Sequence, residues 1–144
     1  MADASQRPLP EVFHDWLGHT IDENGVEIPH GLVLDQANQL TVLALAVPPT
    51  QAYQVMFGQV LKLEAREAIF ALDRFAKPNQ GTTLGDLLAG HHFVNGKWRP
   101  FVVEYQHAPR IVKPIDWDNP FWNAALAQEM AGAIHATISG LAAR

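Results

Sequence analysis

Apolar residues in this chain fall into two spacings, and the switches between them lay out its elements. Leu9, Val12, Phe13, Trp16 and Leu17 recur at i, i+3, i+4, i+7 and i+8, one apolar stripe, predicting a first helix near 10–17 that Gly18 can stop. Asp22-Glu23-Asn24-Gly25 is a turn before a short strand at 26–28. Residues 32–35 and 40–47 read as a hairpin. Its second strand is almost wholly apolar and is expected to be central, buried on both faces. Thr50 caps a helix over 51–64 with Tyr53, Met56, Val60 and Leu63 on its buried stripe. Ile69 to Leu72, bounded by charges, predicts a strand within 67–75.

Thr82 or Thr83 then caps a short helix, with Asp86 three residues after Thr83 in a capping-box arrangement. Asn95-Gly96 between two β-prone runs predicts a two-residue type I′ hairpin, pairing His92 with Arg99. Its second strand continues over 101–106, and Pro100 suggests a bulge or an edge. Residues 110–115 add a further strand. Asn119 as cap and Pro120 at the first helical position open a long last helix, with Trp122, Leu126, Met130, Ala133, Ile134, Thr137 and Leu141 on its stripe. The expected fold class is α+β: a mainly antiparallel sheet built from hairpins, helices packed on one face, and a long C-terminal helix. The expected organisation is a single domain over 1–144, with 1–7 as a flexible tail.

Composition narrows the chemistry. The chain has no cysteine, which excludes disulfides, thiolate metal sites and a cysteine nucleophile. Its longest apolar run, 42–49, is far short of the ~20 residues of a spanning helix, and the N-terminus lacks a signal-peptide core. A cytoplasmic protein with no membrane partner is the expectation. The net charge is −5, unevenly placed. Residues 1–49 hold seven acids and one base, whereas 62–113 hold eight bases and five acids. The bases are spaced out and the overall sign is wrong for nucleic acid. A positive middle suits an anionic ligand.

The densest polar segment is 73–86, where Asp73 and Arg74 lead into Lys77, Gln80, Thr82 and Thr83 and then Asp86. An anion at a helix N-terminus fits this pattern, with Arg74, Lys77, Gln80, Thr82 and Thr83 as its binding residues. No phosphate-loop or dinucleotide fingerprint is present. His91 and His92 are neighbours on a strand and point to opposite faces, so they cannot share one ion. Glu104 lies five strand positions from the residue opposite His92, roughly 17 Å. No metal site and no cofactor are expected. A carboxylate at Glu104, beside Tyr105 and His107, is a candidate for acid–base work.

Three functional readings follow. One is a small binding or accessory protein that recognises an anionic ligand or a protein partner at 73–86. Another is a hydrolase- or lyase-type enzyme in which Asp73, Asp86, His91 or His92, and Glu104 converge. A third treats the chain as an interaction module of a larger assembly, docking through Trp117, Phe121 and Trp122. Gly132, Ala136 and Gly140 recur every four residues on the last helix, a spacing that suits homo-oligomerisation through it.

Overall fold

The computed structural model describes residues 8–20, 30–44, 49–75, 86–106, 109 and 111–142. The elements are α1 (Leu9–Thr20), β1 (His30–Leu34), β2 (Leu40–Ala44), α2 (Pro49–Lys62), β3 (Glu67–Phe75), β4 (Asp86–Val94), β5 (Lys97–Gln106), β6 (Ile111–Val112) and α3 (Asn123–Ala142). The strands form one six-stranded antiparallel sheet in the order β2-β1-β3-β4-β5-β6. The class is α+β with a long C-terminal helix, as the periodicity implies. The strand suggested at 26–28 lies outside the described residues.

Alternation along each strand sorts the core into two layers. Leu32, Ile69, Ala71, Leu88, Phe101, Val103 and Tyr105 point to one side and meet Leu9, Phe13 and Leu17 of α1. Val33, Ala68, Phe70 and Leu72 point to the other side and meet Ala52, Tyr53, Met56 and Val60 of α2 and Met130 and Ala133 of α3. Leu87, Ala89 and Val102 extend that layer to Leu126. Helices α2 and α3 therefore share one face as expected, while α1 covers the opposite one. The α1 stripe shows that it must bury a face; which side of the sheet receives it depends on chain path.

Two further differences have physical causes. The apolar run at 40–44 forms the rim of the sheet and is not central: β1 stands between β2 and β3, because α2 carries the chain across β1 before β3 is laid down. The short helix expected after Thr83 gives way to a strand at Asp86, since Asp86 pairs with both Phe75 and Tyr105. Ladder pairing on two sides outweighs a local capping preference. Helix α1 runs past Gly18 to Thr20, and α2 begins at Pro49.

The Asn95-Gly96 turn has φ of 54° and 76°, the paired positive values of a type I′ hairpin. Its register carries Val94↔Lys97 through His92↔Arg99 to Asp86↔Tyr105 without a bulge. Pro100 fits because its nitrogen faces away from β4: the N–H of Val102, two residues on, leaves the ladder to donate to the Asp116 carbonyl at 3.0 Å. Asn119 caps α3, its Oδ1 accepting from the N–H groups of Phe121 and Trp122 at 3.0 Å each.

Gly90 lies close against the β3 backbone. A Cβ there would collide with the Phe70 carbonyl oxygen and lie 2.7 Å from Cα of Ala71. This β3 backbone cannot yield as a side chain can. Gly90→Ala should cost about 1–3 kcal/mol or more by overpacking. Gly132→Ala, whose Cβ would meet nothing within 4 Å, should gain roughly 1 kcal/mol of helix propensity. Urea unfolding of both variants checks the contrast.

Candidate functional site

Strand β4 divides the titratable candidates between the two layers. His91 lies fully buried on the α2–α3 side, stacked on Phe70 (5.7 Å between ring centroids) with Tyr53 edge-on at 5.3 Å. Its Nε2 is 2.8 Å from the carbonyl oxygen of Leu126, which can only accept, so Nε2 carries the hydrogen. His91 thereby ties β4 to α3. On the α1 side, Nε2 of His92 donates to Oε2 of Glu67 at 2.6 Å, both groups largely withdrawn from solvent. Glu67 is opposite Val94, two positions along from Ile69, the residue that faces His92. The pair is thus a diagonal cross-strand contact on one face.

Trp117 closes over this pair. Its ring lies 5.7 Å from that of His92 and 5.3 Å from Phe101, and the Arg99 guanidinium sits 4.6 Å from its centroid. Beside Trp117, α1 and the segment after β6 flank an open groove of about 280 Å³, lined by Pro10, Glu11, His14, Asp15, Pro114, Ile115 and Trp117. His14 pins its two walls together, donating from Nε2 to the Lys113 carbonyl at 2.8 Å. Neither His92 nor Glu67 lines the groove.

Glu104 lies on the α2–α3 side, since it alternates with Phe101, Val103 and Tyr105 of the α1 layer. Its carboxylate holds the Lys113 ammonium at 2.7 Å, and its carbonyl accepts the Lys113 N–H at 2.9 Å. Of the residues expected to converge, Asp73, Asp86, His91 or His92, and Glu104, the sheet places His91 and Glu104 on one face and Asp86 and His92 on the other. His91 and Glu104 are separated by the sheet from His92. Asp86 and His92 stand at opposite ends of β4, six residues apart or roughly 20 Å. Asp73 pairs in register with Leu88, between those ends. His107 and the candidates Lys77, Gln80, Thr82 and Thr83 lie outside the described residues, and Arg74 is placed as a β3 residue opposite Leu87.

The aromatic run is split as well. Trp117 packs in the α1 layer and Trp122 against Leu126 in the other, while Phe121 stays 51% exposed. On α3, Gly132 and Ala136 are exposed and face away from the core. Among the described residues, no group of three or more His, Asp or Glu is placed to hold a metal ion. No helix among them is long and apolar enough to cross a membrane.

Glu67 is the residue that sequence reasoning missed. Its link to His92 needs the β3–β4 register across the connection 76–85, and no local spacing signals it. Set against known proteins, the chain matches no family model, no curated protein and no solved structure.

The His92–Glu67 contact is a part-buried structural tie. Glu67→Ala should destabilise the fold by about 1–3 kcal/mol, because it leaves a buried imidazole N–H unsatisfied. Glu67→Gln, which keeps an acceptor, should lose less. Equilibrium urea unfolding of the two variants reads the difference.

Proposed function

We propose that this chain is a non-catalytic binding or accessory protein of the cytoplasm that recognises a protein partner through residues 73–86. One observation carries the choice of binding over catalysis: the acid–base candidates are dispersed over both faces and both ends of the sheet. His91, His92 and Glu104 each hold a structural partner in place of a shared cavity. An enzyme of hydrolase or lyase type needs its acid and base within reach of the same reacting atoms.

Residues 73–86 remain the proposed recognition segment. The β3–β4 ladder is regular to its last pair, Phe75↔Asp86, so the two ends of the connection are fixed by hydrogen bonding. Arg74, Lys77, Gln80, Thr82 and Thr83 supply positive charge and hydrogen-bonding groups. Of the two occupants considered, a small anion loses its motivation, since a strand and not a helix N-terminus follows the segment. A protein partner carrying an acidic patch needs no helix terminus.

A second reading is favoured by the groove beside Trp117. Pro10, Pro114, Ile115 and the indole make an apolar floor, and Glu11 and Asp15 supply negative charge. Charge complementarity there suits a peptide segment with a basic residue among apolar ones.

Affinity capture with the immobilised full chain separates the two. Combined substitution of Arg74, Lys77 and Thr82 by alanine should reduce the captured partner at least about tenfold. Glu11→Lys with Asp15→Lys should leave it unchanged. The reverse pattern assigns docking to the groove, and capture insensitive to both sets sinks the reading.

A further inference from the structure

The two rims of the sheet are finished differently. At the β5 rim, Pro100 offers no N–H, the two-residue β6 pairs with Tyr105 and Gln106, and Asp116 closes on Val102. These devices keep a sheet edge from pairing with another chain. Among the described residues the β2 rim carries none of them. The stretch 40–47 has no charge and no proline, and among the described residues β2 pairs with β1 alone.

The register shows which backbone groups face outward there. The Asp35 N–H donates to the Gln39 carbonyl at 3.1 Å, so these two form a hydrogen-bonded pair, and pair types alternate from that point. Thr41 and Leu43 therefore bond to β1, and Leu40, Val42 and Ala44 turn N–H and C=O to the outside. The Arg66 N–H on the Leu34 carbonyl, at 2.8 Å, sets the same phase from the other side of β1. Leu40 and Val42, 42% and 54% exposed, also present their side chains on the α1 face of this rim. Val55 is exposed on the other face. Tyr53 reaches Glu129 and so marks the flank of α2 that meets α3. Val55 lies roughly 160° round the helix from it, on the β2 flank.

We propose that β2 is a self-association surface, at which a second copy of this chain adds its own β2 antiparallel about a twofold axis through Val42. The three outward residues are symmetric about Val42. On the twofold, Val42 faces its own counterpart and Leu40 faces Ala44 of the second copy, so each outward N–H meets a carbonyl. All three are apolar, and no charge is brought opposite a like charge, although the chain carries −5. Asp35, the nearest acid along the hairpin, lies beyond the paired segment. The sheets of the two copies become continuous, with both α1 helices on the same side. This surface is separate from residues 73–86 and moves self-association from α3 to the sheet rim.

Sedimentation velocity on the full chain across the micromolar range tests it. The wild type should form a reversible dimer. Val42→Lys, which places two ammonium groups together on the axis, should weaken it at least about tenfold. Ile138→Lys on the exposed face of α3 should leave it intact. Matching thermal melts confirm that both variants fold. Hydrogen exchange on the wild type gives an independent reading, because the amides of Leu40, Val42 and Ala44 should gain protection on going from dilute to concentrated protein. A monomeric wild type overturns the proposal. So does a dimer that survives Val42→Lys, a dimer lost only in Ile138→Lys, or exchange at these amides that ignores concentration.

Discussion

Nine consecutive residues of β4 are paired on both sides, with β3 along one edge and β5 along the other. The rest of the molecule is arranged around that double ladder. It fixes which side chains enter each layer, and it brings the backbones so close at Gly90 that no Cβ fits. It also sends His91 toward α3 and His92 toward Trp117. A strand held this firmly can bear polar groups in its buried stretch, provided each finds a partner, and Leu126 and Glu67 supply them.

The polar chemistry of the interior is thereby spent on joining elements. His14 ties α1 to the chain after β6, His91 ties β4 to α3, and Glu104 ties β5 to Lys113. Each contact joins pieces distant in sequence. The proposed recognition surfaces, the 73–86 segment, the Trp117 groove and the β2 rim, lie on connections and rims.

Local signals in the sequence were good guides wherever the deciding physics was local. The α1 stripe, the strand at 67–75, the Asn95-Gly96 turn with its His92↔Arg99 register and the Asn119 cap all rest on spacings within a few residues. What could not be read was relational. A run such as Leu40 to Ala44 looks the same at the centre of a sheet or on its rim, and the crossing of α2 over β1 decides which. Thr83 and Asp86 match a capping box, yet the pull of two neighbouring strands extends β4 back to Asp86. The partnership of Glu67 with His92 depends on register across a connection of ten residues, from 76 to 85. The dispersal of the candidate acid–base residues had the same origin: face and position along a strand are settled only once the strands have paired.

The crossing of α2 has a consequence for how the sheet assembles. Strands β3, β4 and β5 follow one another in sequence and in space, as do β1 and β2. Only the β1–β3 seam joins strands that are not consecutive, and the chain must travel through β2 and α2 before it can close. The entropy of loop closure grows with the length enclosed, so it is concentrated at this seam. The sheet is a hairpin and a meander welded along one non-local line, the strand pairing of greatest sequence separation within it.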